Sequence, residues 1–140
     1  MAFEWLEHTA DLGVRGIGRS IEEAFCEAAR GMFAMMVDLA DIAGQEVLEV
    51  RCQAPSRESL LVAWLAELIA QKDLTHSLFS SFEVRIDRRR QGFVLHGRCK
   101  GASIDPARQR LGTEVKGISV CGLRVERVDG RWVAECIVDV

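Results

Sequence analysis

Three oxygen-bearing groups form the set in this chain best able to do chemistry: the Asp11 side chain, the Asp139 side chain and the terminal carboxylate of Val140. The run Val133 to Val140 reads as a strand, and a chain stopping on it leaves the last two groups side by side at a sheet edge. Carboxylates crowded together either raise a pKa or bind a cation. With Asp11 brought beside them, three oxygen donors suit a hard divalent ion such as calcium or magnesium. Lys116 is a further candidate, since a lysine brought near such a cluster could meet a phosphate or a partner's carboxylate. Each piece alone has a plainer reading. His8-Thr9-Ala10-Asp11 also suits a turn or helix cap, and Lys116 within Glu114-Val115-Lys116-Gly117 also suits a solvated strand edge.

Other chemistries find few residues. There is no nucleophile elbow, no His-Glu-x-x-His and no tyrosine. Gly13-Val14-Arg15-Gly16-Ile17-Gly18 reverses the dinucleotide glycine spacing, so its glycines read as relief of crowding within a strand. His76 and His96 are isolated and read as surface histidines. Cys26, Cys52, Cys99, Cys121 and Cys136 make neither an even set nor a Cys-x-x-Cys pair, which argues against a disulfide framework or zinc ribbon; Cys52, Cys99 and Cys136 fall on apolar faces, where thiols act as small hydrophobes.

The elements that must position these groups follow from periodicity. Leu12 to Gly18 reads as a strand leaving Asp11. Ser20 and Glu23 suggest a reciprocal capping box for a helix from Ile21 to about Met36, whose buried stripe is Ile21, Ala24, Phe25, Ala28, Met32 and Met36. Val47 to Ala54 alternates as a half-buried strand. Ser56 then caps a second helix with Leu61, Trp64, Leu65 and Leu68 inward. Two strands follow, through Phe82-Val84-Ile86 and Phe93-Leu95-Gly97-Cys99, and Gly101 to Gly112 reads as a loop. Arg88-Arg89-Arg90 sits between those strands, first as a solvated hairpin tip and second as a contact for a nucleic acid or an acidic partner.

Asp129-Gly130 between alternating runs marks a two-residue hairpin. That turn pairs Val128 with Arg131, Val125 with Ala134, Arg124 with Glu135 and Leu123 with Cys136. Extended backward, the ladder sets Asp139 opposite Val120 and puts Lys116 on the Asp139 face, but about 13 Å along a regular strand. Direct contact needs a bend. The order strand, helix, strand, helix, strand meander predicts a single α+β domain over residues 1–140, with one mixed β-sheet and two main helices packed on one face.

With 140 residues, 49% hydrophobic, the chain can bury one core without staples. No stretch approaches a membrane span and the start lacks signal-peptide character, so a cytoplasmic location is expected. Eighteen basic against 21 acidic side chains, a net charge of −3, argue against stable general nucleic-acid binding.

From end to end the chain resembles the archease family. The matching segments are His8-Thr9-Ala10-Asp11 with Gly13-Val14, Glu22-Glu23-Ala24-Phe25, Leu60 to Leu68, Asp105-Pro106-Ala107-Arg108, Glu114 to Ser119, and Trp132 to Val140. The resemblance implies a non-catalytic activator of an RtcB-type RNA ligase, which promotes the ligase's guanylylation and multiple turnover in tRNA splicing or RNA repair. It implies a divalent-metal site of calcium type on Asp11, Asp139 and Val140, a required lysine at Lys116, and a supporting role for His8 in ordering the Asp11 turn. A chaperone or specificity factor for a tRNA methyltransferase is the alternative, and a small metal-dependent hydrolase a third. The sequence departs from the family pattern at Ala102, Gln109 and Cys121, where glutamate, histidine and histidine are expected.

Overall fold

The computed structural model describes residues 1–8 and 11–140, with the backbone alone at His8 and Asp11. In chain order the elements are β1 (Ala2–His8), β2 (Asp11–Gly18), α1 (Ile21–Met36), a 3-10 turn (Leu39–Asp41), β3 (Glu46–Ala54), α2 (Arg57–Thr75), β4 (Ser77–Arg89), β5 (Gly92–Ser103), β6 (Gly117–Ile118), β7 (Arg124–Val128) and β8 (Arg131–Asp139). The α+β class and both helices are as the periodicity predicts. The expected single mixed sheet is instead two antiparallel sheets: β1-β2-β8-β6, with β7 also pairing β8, and β3-β5-β4.

The reason for two sheets lies in α1. A single stripe buries one side of a helix, whereas α1 buries ten residues. Its small residues face the first sheet and its large ones the second. A Cβ on Gly16 would sit 2.1 Å from the Ala24 carbonyl oxygen and one on Gly18 2.5 Å from the Ala24 nitrogen, so the glycines of β2 let the α1 backbone lie directly on the strand. Opposite, Phe33 meets Phe79 and Phe82 of β4 with ring centroids 5.6 and 5.7 Å apart. The helix is thus a shared middle layer. Helix α2 packs mainly on the β3-β5-β4 sheet, and its fully buried Trp64 donates from Nε1 to the Phe25 carbonyl at 3.1 Å, tying the two helices together.

Several local details depart from expectation. Strand β1 had no sequence reading; it is an edge strand whose Trp5 is 56% exposed, so its apolar alternation does not mark a buried face. Ser20 accepts from the Glu23 amide at 3.1 Å, but the Glu23 carboxylate pairs with the Met1 ammonium at 2.8 Å instead of reaching back to the cap. A hydrogen bond from that ammonium holds the Glu23 carboxyl below its usual range. The reciprocal box occurs on α2, between Ser56 and Ser59. Strand β5 runs on through Gly101 to Ser103, shortening the expected loop. Among the described residues no helix is long and apolar enough to cross a membrane.

The Gly16 contact is testable. Gly16→Ala should lower unfolding free energy by at least about 2 kcal/mol, because the clash is with backbone that has nowhere to go. Gly117→Ala, whose Cβ would meet only Asp139 Oδ2 at 3.5 Å, should cost less than about 1 kcal/mol. Urea unfolding of both variants reads the difference.

Candidate functional site

The site is built on β8, which lies between β2 and β6. Strands β2 and β8 pair antiparallel from Leu12 with Val138 to Gly18 with Trp132. Strand β2 begins at Asp11, so Asp11 and Asp139 are the next outward steps on neighbouring strands. His8 pairs with Asp11 across the β1 to β2 connection. Thr9 and Ala10 lie outside the described residues, as do the side chains of His8 and Asp11.

On the other flank the hairpin behaves as its turn predicts and then breaks register. Asp129 and Gly130 take φ of 50° and 78°, and the ladder runs from Val128 with Arg131 to Arg124 with Glu135. Continued regularly, it would pair Leu123 with Cys136 and carry Val120 to Asp139. It is Gly117 that pairs with Asp139, and Ile118 with Val138. Ser119 still donates to the Ile137 carbonyl at 2.9 Å; residues 120–123 then leave the ladder, turned at Gly122 with φ of 70°, and this slip supplies the bend that Lys116 requires. The Lys116 amide donates to the Asp139 carbonyl at 2.7 Å. The expected shared face for Lys116 and Asp139 is corrected: Gly117 holds the place opposite Asp139, and Lys116 is one residue away. Asp139, Val140 and the Lys116 side chain are exposed.

The segment leading to Lys116 is strapped down at three points. Arg110 chelates Asp41 through Nε and Nη2 at 3.0 and 3.1 Å and reaches Asp38 at 2.9 Å. Gly112 and Thr113 donate to the Met36 and Met35 carbonyls at 2.7 and 2.8 Å, satisfying end-of-helix groups on α1, whose last turn has no basic residue. Val115 is fully buried, and the buried Lys72 of α2 sits 2.8 Å from Asp73 and 3.9 Å from Glu114. No sequence pattern announced Lys72, because its burial depends on a loop from forty residues downstream.

The chain matches the Archease protein family (MTH1598/TM1083) over residues 3–140. It belongs to the archease family. It is 37% identical over 139 residues to protein archease of Pyrococcus abyssi, covering 99% of this chain and 98% of that one. It is 36% identical over 140 residues to protein archease of Methanopyrus kandleri, covering all of both. The solution structure of Methanobacterium thermoautotrophicum protein 1598 superposes with a TM-score of 0.87 at 34% identity, over 99% of each chain. A crystal structure from Thermotoga maritima, described as an archease and possible chaperone, shares the fold at a TM-score of 0.61 and 21% identity, over 96% of this chain and 94% of that one.

Two of the archease departures have structural accounts. Gln109 is buried, accepts from the Asp105 amide at 2.8 Å and donates to the Ser103 carbonyl at 2.9 Å, so it closes its own loop. Cys121 is exposed in the segment that leaves the ladder. Ala102 sits in β5 opposite Leu78. Among the described residues no three His, Cys, Asp or Glu side chains are grouped to hold a metal; the Asp11 side chain lies outside that statement.

Two measurements follow from these environments. Burial pushes the thiols of Cys26, Cys99 and Cys136 up to about 12 and that of Cys52 to about 11. At pH 8 a thiol reagent should therefore label Cys121 fast, the half-buried Cys26 and Cys52 slowly, and the buried Cys99 and Cys136 only on unfolding; more than one fast equivalent would contradict the packing. The Arg110 hydrogen bond holds the Asp41 carboxyl below its ordinary range. A depressed folded-state value contributes stability that is present above the unfolded pKa and lost as pH falls through the folded one. The thermal midpoint of Arg110→Ala should thus lie below the parent's at pH 7, with the gap closing below about pH 4.

Proposed function

We propose that this archease-family chain activates an RtcB-type RNA ligase, promoting its guanylylation and repeated turnover in tRNA splicing or RNA repair, and catalyses no reaction itself. Family membership supports the reading. The observation that carries it is the strand order β2-β8-β6, in which remote parts of the chain adjoin at the Asp139 end.

The donor set fits a divalent ion of calcium type. Asp11, Asp139 and the Val140 carboxylate offer oxygen only, as hard cations prefer, and the Asp139 carboxylate lies over Gly117 in space that a Cβ would begin to fill. Such an ion would neutralise the crowded carboxylates and offer a Lewis-acidic point to a phosphate or a ligase carboxylate. Lys116, held by its backbone to Asp139, extends from the same edge as a point charge for the ligase's nucleotide pocket. His8 orders the turn into Asp11. The protein acts in the cytoplasm.

The test is GTP-dependent labelling of a purified ligase with substoichiometric activator. Asp139→Ala and Lys116→Ala should each lower stimulation at least about tenfold, and a calcium chelator should do the same to the parent. A folded Asp139→Ala chain that stimulates as well as the parent overturns the assignment. The second reading is a chaperone or specificity factor for a tRNA methyltransferase; the Thermotoga protein is itself described as a possible chaperone. That reading gains if ligase solubility rises while repeated turnover does not.

A further inference from the structure

The outer face of the β3-β5-β4 sheet takes no part in the site described above. Its inner face carries Val50, Gly97 and Val84 and packs on α2, where a Cβ on Gly97 would strike Trp64. Alternation turns the intervening rows outward. One row is Glu49, Arg98 and Glu83, and the next is Arg51, His96 and Arg85, each residue directly opposite its neighbours. Together they line an open hollow of about 520 Å³. Arg89 lies further along the β4 side of the same face, Lys100 further along β5, and Arg88 and Arg90 stand at the hairpin tip.

The charge distribution is strongly lopsided. Seven basic side chains (Arg51, Arg85, Arg88, Arg89, Arg90, Arg98 and Lys100) share this face and tip with three acidic ones (Glu49, Glu83 and Asp87), which leaves 11 basic against 18 acidic over the rest of the chain. The net charge of −3 thus conceals a positive face on a negative body. Asp87 pairs with Arg85 at 3.4 Å and with Arg89 at 3.8 Å. Among the described residues no carboxylate lies within 4.0 Å of the Arg51 or Arg98 guanidinium.

We propose that this face binds the phosphate backbone of single-stranded RNA. Arg85 and Arg89 stand about 13 Å apart along β4, and Arg51 and Arg85 flank His96 from opposite strands. Cations strung along a line suit a ligand that repeats its negative charge, where one small oxyanion would engage only a pair of them. Guanidinium forks match phosphate oxygens two at a time. Glu49 and Glu83 among the arginines favour RNA over an acidic polypeptide, because RNA brings 2′-hydroxyl donors beside each phosphate and a polyacidic chain brings no side-chain donors. The charged rows carry no Phe, Tyr or Trp on which successive bases could stack, and His96 offers a single small ring, so binding is governed by phosphate contacts and salt rather than by base sequence. The affinity is local to this face, in contrast to the general binding that the overall composition argues against.

The test uses the full chain and a short fluorescent single-stranded RNA of mixed sequence, read by anisotropy from about 50 to 200 mM salt. The parent should bind, and Arg51→Ala/Arg85→Ala should weaken binding about tenfold and flatten the slope of log affinity against log salt by about 1.4, or ~0.7 per phosphate lost. Arg51→Gln/Arg85→Gln, which keeps more side-chain bulk, should do the same. Arg127→Ala/Arg131→Ala, an equal charge change on the other sheet, should leave both quantities nearly unchanged. Absence of binding by the parent, or an equal loss in the Arg127/Arg131 pair, overturns the proposal. So does loss of RNA-free ligase guanylylation in the Arg51/Arg85 variants, which would mark the face as a protein contact. The anisotropy measurement contains no ligase, so its outcome is independent of the ligase reading.

Discussion

The pairing of β2 with β8 is the constraint on which the rest depends. It joins a strand near the start of the chain to the strand that ends it, over seven residue pairs, and makes both central to their sheet. A central strand has both edges filled, so β8 can receive β6 on its other side and draw Lys116 in from a third region of the sequence. The same pairing fixes β2 beneath α1. Without it, Asp11, Asp139 and the Lys116 backbone would share no edge.

Helix α1 transmits that constraint through the core. Its small side meets the glycines of β2 and its aromatic side meets β4, so one helix is the common wall of two sheets. Its C-terminal carbonyls then hold the segment that leads to Lys116. Packing and site geometry are therefore coupled along one path, from glycine contacts through α1 to the 112–117 segment. The chelate of Asp41 by Arg110 and the burial of Lys72 against Glu114 fasten the same segment from its flanks.

The two sheets divide the surface chemistry. The β1-β2-β8-β6 sheet carries the acidic end, while the outer face of β3-β5-β4 concentrates arginine. Such polarity orients a molecule towards partners by long-range electrostatics even when its net charge is small. It also explains why composition alone pointed away from nucleic acid: a total charge sums over faces that a ligand meets one at a time.

Much of the local structure was legible in the sequence, because it depends on near neighbours. The bounds of α1, the Ser56 cap, the inward stripe of α2 and the register of the Asp129-Gly130 hairpin all arise from interactions within a few residues, and the structure has them. The carboxylates and Lys116 could be named as candidates from residue type and family resemblance. What the tertiary structure alone decided is long-range. Periodicity records that a side chain is buried but not what buries it, so the double burial of α1, and with it the split into two sheets, was hidden. A regular ladder is the only extrapolation a turn motif permits, so the release of residues 120–123 that brings Gly117 opposite Asp139 could not be read from Asp129-Gly130. The burial of Lys72 and the cross-strand row Arg51, His96, Arg85 exist only once separate segments pair, because adjacency between strands is a property of the folded chain.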